Sequence, residues 1–190
     1  MYNKVYSEFE IKDSSIGFDG DTTLTKIGCV GSLEETLDSK TVKKKCEGIE
    51  NTVCVKGTGT GEVKLTLHIK YDLYAKMYGM KFDSLVTGVQ GYGKNSIHKP
   101  FRFVGKVLDE EGVEKLKAYP NLILKEGISR KITNGEEEVA EIELTASVNP
   151  DEEGFGMYET VTDDLDATTK TTFVNNWMTN FTSDMVQASS

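Results

Sequence analysis

The sequence predicts a mainly β protein with one short flanking helix, and three observations support this fold class. Residues 62–71 alternate strictly between apolar and polar side chains, the period of a strand with one buried face. Residues 140–148 repeat this period. Between the two, Asn134-Gly135 suits a type I′ hairpin turn, which needs positive φ at both positions. The chain has 190 residues, 37% of them hydrophobic, and can bury the core of one domain.

The clearest predicted element starts after a glycine-rich lead-in at 57–61. Its apolar face comprises Val63, Leu65, Leu67, Ile69 and Tyr71. Its polar face comprises Glu62, Lys64, Thr66, His68 and Lys70. At Asp72 the period changes to helical spacing, so the pattern predicts a helix with Asp72 as its N-cap and Gly79 as its C′ residue.

Residues 31–57 are predicted to form a long functional loop. The segment carries a short apolar pattern at 33–37, a basic run at Lys43, Lys44 and Lys45, and few residues that could anchor it in a core. Long ordered loops in compact domains are usually functional. We therefore expect this segment to lie outside the core.

The second half of the chain contains further predicted strands. Residues 101–108 form one strand, Asp109–Gly112 its turn, and residues 128–133 another strand that leads into the Asn134-Gly135 hairpin. The returning strand carries Ala140, Ile142, Leu144, Ala146 and Val148 on one face and Glu141, Glu143, Thr145 and Ser147 on the other. A last strand is predicted over 155–161.

The C-terminal segment is ambiguous between helix and strand. Phe173, Trp177 and Phe181 are four residues apart, as on one face of a helix, but they also share strand parity. Its threonine and asparagine content disfavours an isolated helix. The segment is predicted to be an arm that buries its aromatic side chains on a partner surface.

Charge and composition exclude several function classes. The net charge of −9 argues against a protein that grips nucleic-acid phosphates. Twelve carboxylates and no Lys or Arg lie between Glu136 and Asp166. A solvated acidic face is the simpler interpretation, and repulsion of a polyanion or attraction of a basic partner is the alternative. Three cysteines, no signal-peptide pattern and no membrane-length apolar run predict a reducing compartment and no membrane insertion.

No predicted catalytic, metal or cofactor site emerges from the motifs. Residues 88–95 nearly match a phosphate-binding loop, but Asn95 replaces the hydroxyl that would hold Mg²⁺, and Pro100 stops the helix that should follow. His68 and His98 are the only histidines, and Cys46 and Cys54 lack zinc-site spacing. Nucleophile motifs are missing as well. We therefore expect a protein that is not an enzyme.

Several segments, in their order along the chain, resemble phage major tail proteins, the tube-forming subunits of long-tailed (siphophage-type) phages. They are KIGCV at 26–30, LTLHIKYDLYAKMYGM at 65–80, YGK at 92–94, AYPN at 118–121 and WMTNFT at 177–182. The resemblance implies a β-sandwich of two packed antiparallel sheets with a flanking helix. It also implies hexameric rings that close a continuous barrel and stack into a tube for double-stranded DNA.

The resemblance further implies partners, a location and no cofactor. The partners are further copies of the chain, the tape-measure and tail-terminator proteins, and passing DNA that is not specifically bound. The protein would assemble in the host cytoplasm and end in the virion tail. One domain would span 1–161, including the long loop at about 31–57, and a C-terminal arm would span 162–190.

Candidate functional residues follow from these expectations. Lumen-facing candidates are Glu62, His68, Glu141 and Glu143; ring-stacking candidates are Leu33, Leu37, Lys43, Lys44 and Lys45; arm contacts are Phe173, Trp177 and Phe181. An acidic lumen would let DNA slide because it does not adsorb phosphates. The alternatives are a tube subunit of a contractile tail, bacteriocin or type VI-like secretion machine, and a monomeric β-sandwich binding module.

Overall fold

The computed structural model describes residues 4–46, 49–80, 84–135, 139 and 141–188. Its strands are β1 (Glu10–Phe18), β2 (Thr25–Lys26), β3 (Val30–Cys46), β4 (Ile49–Leu67), β5 (Phe101–Leu108), β6 (Glu114–Leu124), β7 (Ile142–Val148) and β8 (Tyr158–Val161). Its α-helices are α1 (Tyr71–Met77) and α2 (Lys170–Asn180), and short 3₁₀ turns span Thr162–Asp164 and Ser183–Val186. The mainly β class is confirmed, with two helices in the place of one.

All eight described strands belong to one antiparallel sheet. The order is β2-β1-β5-β6-β7-β4-β3, and β8 pairs with β6 beside this path. The resemblance implied two packed sheets, whereas here two halves of one sheet share β6. The β1–β5 half and the β7–β4–β3 half both contribute side chains to one core cluster. The sheet therefore curls so that its two halves face each other.

Pro120 marks the point at which β6 changes partners. On one edge of β6, residues 115–118 pair with β8, and residues 122–124 pair with β7. On the other edge, the register with β5 shifts between Phe101 and Phe103. Pro120 lies between these ladders, where its missing N–H breaks no pairing. One strand can thus belong to both halves of the sheet.

The main core confirms the predicted strand periods. Val63, Leu65 and Leu67 of β4 are buried, as are Leu144, Ala146 and Val148 of β7. They meet Ile16 and Phe18 of β1, Phe101 and Phe103 of β5, and Tyr119, Leu122 and Leu124 of β6. Tyr71 departs from the prediction, because β4 ends at Leu67 and the Tyr71 side chain is exposed.

Helix α1 covers one end of this core. It begins at Tyr71 with Lys70 as its N-cap, so the prediction of Asp72 as N-cap is wrong; Asp72 lies in the first turn, where a carboxylate favours the helix dipole. Leu73, Tyr74 and Met77 are buried. The helix ends as predicted, with Gly79 at a φ of 59° and its N–H bonded to the carbonyl of Lys76.

The segment expected to be a long loop is a long β-hairpin. Strands β3 and β4 pair from Val30↔Leu67 to Cys46↔Ile49, with register shifts along the way. The glycines at 57–61 and the lysine run suggested a break in regular structure. The β-branched residues Thr41, Val42, Val53 and Val55 are the signal for strand that this interpretation overlooked.

The strand predicted over 128–133 is wrong. These residues lie outside the helices and strands, although Asn134 and Gly135 do form a turn, with Gly135 at a φ of 74°. The strand that precedes the turn is β6, which ends at Leu124. Ala140 lies outside the described residues. Residues 84–99 also form an irregular segment, in agreement with the rejection of a phosphate-binding loop there.

The C-terminal arm is helical over Lys170–Asn180 and is part of the chain's own core. Trp177 and Phe181 are 1% and 0% exposed and pack with Val104, Leu116 and Ala118 on the outer face of β5 and β6. Trp177 Nε1 also donates to the carbonyl of Lys117 at 3.2 Å. The expectation that these aromatic side chains need a partner surface is therefore corrected; only Phe173 remains partly exposed.

Candidate assembly surface

Strands β3, β4 and β7 together present a polar face to the outside. The register places Glu34 opposite Lys64 and Thr36 opposite Glu62. On the other side of β4, Thr66 lies opposite Glu143. Directly opposed residues share a face of a sheet, so these side chains lie on the face away from the core. We call this surface the polar face.

The lumen candidates Glu62 and Glu143 both lie on the polar face. Their positions on the ladder are four residues apart along β4, about 13 Å at the usual strand rise. Glu141 is exposed just before β7, and its carboxylate lies against Gly31, where an added Cβ would be 2.4 Å from Glu141 Oε1. His68 is exposed just beyond the end of β4, and its backbone N–H donates to the carbonyl of Cys29.

The polar face is not uniformly acidic. Lys125 Nζ lies 2.8 Å from Glu62 Oε2, and Lys64 Nζ lies 3.9 Å from Glu62 Oε1. The hydrogen bond from Lys125 lowers the pKa of Glu62, and the same bond raises the pKa of Lys125. Glu62 is therefore a paired carboxylate, whereas Glu141 and Glu143 are exposed.

The stacking candidates are distributed along the β3–β4 hairpin. Leu33 lies near its base and packs against the main core, and Leu37 is 43% exposed. Lys43, Lys44 and Lys45 lie in the outer part and are exposed. Val42, Val53 and Val55 are also exposed there. The outer hairpin is thus a two-stranded ribbon with basic and apolar side chains in contact with solvent.

A chain of alternating charges centred on the buried Lys117 joins the base of the hairpin to β6. Lys117 Nζ donates to Glu35 Oε1 at 2.6 Å and lies 3.0 Å from Glu8 Oε1. Glu8 Oε1 also accepts a hydrogen bond from Lys115 Nζ at 2.9 Å, and Lys115 lies 3.3 Å from Glu159. Tyr119 donates its hydroxyl to Glu35. The order of charges is Glu159, Lys115, Glu8, Lys117 and Glu35.

Burial and pairing together set the protonation of this chain of charges. Burial lowers the pKa of Lys117, but its hydrogen bonds with Glu35 and Glu8 outweigh burial, and the net pKa is raised. Burial and the hydrogen bond to Glu35 raise the pKa of Tyr119. Burial raises the pKa of Glu8, but Lys115 and Lys117 lower it by a larger amount, so the net pKa is lowered. All three therefore keep their usual protonation at neutral pH.

Sequence reasoning missed this site for a physical reason. Leu116 and Ala118 alternate with Lys115 and Lys117, a pattern that predicts the lysines to face solvent. Both faces of β6 are covered, because α2 covers the Leu116 side and the other half of the sheet covers the Lys117 side. Glu35 had no signal either, since it belongs to a segment interpreted as a loop.

The described residues contain no helix that is long and apolar enough to cross a membrane. No cluster of three potential metal ligands occurs in the same residues.

Comparison with known proteins places few constraints on this chain. No family model matches the sequence. No curated protein matches it either. Among solved structures, the chain is similar to the anti-feeding prophage cap, a tube-terminating cap, with 9% sequence identity and a TM-score of 0.38; the likeness covers 84% of this chain and 96% of the cap. The functional proposal below therefore rests on the residues of the chain itself.

Proposed function

We propose that this protein is the structural subunit of a phage tail tube, in which hexameric rings stack around a lumen that conducts double-stranded DNA from capsid to host. The order of the tail-protein-like segments along the sequence supports this assignment. The open outer edge of β3 is the structural observation that carries it. The tube would need no catalytic residue and no cofactor.

Strand β3 ends one side of the sheet and has 17 residues. No described strand pairs with its outer edge. Long open edges invite pairing with another chain, and proteins usually protect them with lysine, proline or short length. The inner part of β3, Val30–Ser39, contains no lysine or proline and is protected only by register shifts and the inward-facing Glu35. Pairing of this edge with the β1–β2 edge of the next copy would be a heterologous contact, which gives a ring when the rotation between successive copies closes.

The outer part of the hairpin suits contacts between rings. A two-stranded ribbon with both faces in water is marginal by itself, so a partner surface would stabilise it. Its lysines would face an acidic surface, and the turn at 151–154, with Asp151, Glu152 and Glu153, is one such surface on another copy. The hairpin thus replaces the expected loop as the stacking element.

The polar face is the proposed lining of the lumen. Burying its carboxylates in a core would cost more than the stability of one domain, so this face must meet solvent, a partner or the lumen. Exposed carboxylates such as Glu141 and Glu143 would repel phosphates and keep DNA mobile. Tape-measure and tail-terminator proteins would be the assembly partners, first in the host cytoplasm and then in the virion.

Assembly of the purified protein is the direct test of the proposal. Size-exclusion chromatography with light scattering should give species larger than a monomer, and negative-stain microscopy should show rings or hollow tubes. A chain that stays monomeric at high concentration, even with its tail partners, would instead support a monomeric binding module. Tubes encoded beside a sheath gene would indicate the contractile or secretion-type alternative, whereas a tape-measure gene without a sheath gene supports the proposal.

Charge reversal on the polar face tests the lumen assignment. Glu141→Lys with Glu143→Lys should leave tubes intact and slow DNA ejection, more strongly at low salt where screening is weakest. Glu111→Lys, an exposed carboxylate in the β5–β6 turn and outside both the polar face and the proposed stacking surface, is the control and should eject DNA normally. Normal ejection at low salt by the double variant would place the polar face on the outside of the tube.

A further inference from the structure

The N-terminal segment lies over the chain of charges around Lys117, which it contacts through Glu8. Residues 4–9, here called the strap, hold few backbone contacts, of which Phe9 N–H to the carbonyl of Leu108 is one. Side chains provide the remaining attachment: Tyr6 OH donates to the carbonyl of Val107, Ser7 donates to Glu110, and Glu8 binds Lys115 and Lys117. Val5 and Phe9 are 91% and 74% exposed. The strap is thus held chiefly by electrostatic contacts.

Lys117 is shared between the strap and the base of the hairpin. Its side chain is 2% exposed, whereas its two carboxylate partners, Glu8 and Glu35, are 46% and 27% exposed. Glu35 lies on β3, which has backbone pairing only to β4 within the described residues. Leu33 packs in the main core, and Lys117 and Tyr119 add polar contacts that join Glu35 of the hairpin base to β6.

We propose that docking of the strap and fastening of the hairpin base are energetically coupled through Lys117. With Glu8 in place, opposite charges alternate along the chain of side chains. Without Glu8, the ammonium groups of Lys115 and Lys117 face each other and water reaches Lys117. The dehydrated position of Lys117, on which its bond to Glu35 depends, then becomes unfavourable.

Two opposing effects decide the sign of this coupling. Glu8 and Glu35 repel each other, which would make the strap and hairpin antagonistic. Dehydration of Lys117 is strongly unfavourable if it is not compensated, and both carboxylates share in compensating it. Lys115 also offsets the negative charge of Glu8 at 2.9 Å. Compensation therefore outweighs repulsion, and the docked strap tightens the hairpin.

This coupling gives the hairpin a control element that lies outside its own two strands, against β5 and β6. If the hairpin is the stacking element of the proposed tube, a partner that lifts the strap would loosen the hairpin before or during assembly. That consequence rests on the proposed function, whereas the coupling itself is a property of the single chain. It can therefore be tested without assembly.

Hydrogen–deuterium exchange of the intact chain tests the coupling. Glu8→Gln should accelerate exchange in the strap and also, by about tenfold, in the hairpin base at 30–37 and 61–67, because local opening becomes easier. Ser7→Ala is the matched control: it removes a strap contact that does not involve Lys117 and should accelerate exchange in the strap alone. Residues 101–104 of β5, which pair with β1 and β6 and not with the hairpin, report on global stability and should stay unchanged in both variants.

Reciprocity provides a second readout. Because coupling free energies are mutual, Glu35→Gln should also loosen the strap. Glu159→Gln, which affects only Lys115, should not change the hairpin. The proposal is overturned if Glu8→Gln and Ser7→Ala give equal exchange in the hairpin base, if Glu8→Gln slows exchange there, or if residues 101–104 of β5 accelerate to the same extent.

Discussion

At the scale of single residues, the environment of Lys117 departs furthest from expectation. Lysine is rarely buried unless it is paired. Here Glu8 and Glu35 pair with Lys117, and Lys115 pairs with Glu8 in turn. The two partners differ in exposure, with Glu35 at 27% and Lys117 at 2%. Removal of one partner therefore has a different cost from removal of the other.

We expect Glu35→Ala to destabilise the fold more than Lys117→Met. Loss of Glu35 leaves a buried ammonium with one carboxylate and leaves the Tyr119 hydroxyl without its acceptor, at a cost of about 3 kcal/mol. Methionine at 117 fills a similar volume, and the remaining carboxylates can reach water, so we expect a cost of about 1 kcal/mol or less. Urea unfolding at pH 7 measures both values. Equal losses would show that Lys117 is not effectively dehydrated.

Asp151 provides a pH-dependent contact at the C-terminal end of the chain. Its carboxylate accepts hydrogen bonds from Ser183 Oγ at 2.5 Å, Tyr158 OH at 2.7 Å and the N–H of Phe155 at 2.9 Å. Burial raises its pKa, but these bonds outweigh burial and lower it below the usual 3.8. Burial and the bond to Asp151 also raise the pKa of Tyr158 to about 12.

The sign of the pH dependence follows from the lowered pKa of Asp151. The unfolded chain binds a proton at this group more readily than the folded chain, so the contact stabilises the fold above the unfolded pKa and is lost as pH falls through the folded pKa. We expect Asp151→Asn to reduce stability at pH 7 and the difference from wild type to shrink below pH 4. Urea midpoints across this range measure it; a difference that is constant with pH would contradict the assignment.

At the scale of elements, the β3–β4 hairpin separates folding from assembly. Its base contributes Leu33 and Glu35 to the interior, whereas the side chains described beyond Ser39 lie largely in solvent. Replacement of residues 40–56 by Asn-Gly would connect Ser39 to its ladder partner Gly57 through a two-residue turn. We expect an unfolding free energy close to that of wild type and a loss of stacked tubes in negative-stain images.

A charge variant tests whether the outer hairpin stacks through its charged side chains or through its backbone and apolar side chains. Replacement of Lys43, Lys44 and Lys45 by Gln keeps the ribbon and removes its charge. If this variant still stacks, backbone or apolar contacts of the ribbon are responsible. Tubes of normal length in the shortened variant would exclude the hairpin as the stacking element.

Helix α2 is expected to be essential for folding. Trp177 and Phe181 cover Leu116 and Ala118 on the outer face of β5 and β6, so truncation after Asp166 should leave an unfolded or aggregated chain. Trp177→Ala should cost about 3–5 kcal/mol of stability, as for other large buried aromatic residues. Phe173→Ala is the control and should cost less, because Phe173 is partly exposed. A truncated chain with wild-type circular dichroism and cooperative unfolding would restore the arm interpretation.

At the scale of the whole molecule, charge is unevenly distributed between the outer hairpin and the C-terminal half. The outer hairpin carries Lys40, Lys43, Lys44, Lys45 and Lys56, and the turns at 151–154 and 162–166 carry carboxylates. If these surfaces meet between rings, salt screens their attraction. We expect tubes at 0.1 M salt to shorten or dissociate into rings at 1 M salt, as seen by negative-stain microscopy. Longer tubes at high salt would indicate an apolar stacking contact.

The candidate surface was predicted only in part. Alternation placed Glu62 and Glu143 on the polar faces of their own strands, since parity along one strand is a local property. That these two strands pair, so that the two faces form one, was not predicted. The pairing of Glu62 with Lys125 could not be predicted, because Lys125 follows a strand distant in sequence. Neither could the chain of charges around Lys117, which depends on the curl of the sheet.

The sequence by itself determined the elements whose burial follows one simple period. The strands around 63–67 and 144–148 and the end of α1 at Gly79 follow from side-chain alternation and the conformational freedom of glycine. Tertiary structure alone decided which segments have both faces covered or both faces exposed. The side chains described beyond Ser39 form a ribbon exposed on both faces, Lys117 is buried, and Trp177 packs on its own sheet. Local periodicity reports only a contrast between two faces, and no such contrast exists where neighbours distant in sequence cover both faces or leave both in water.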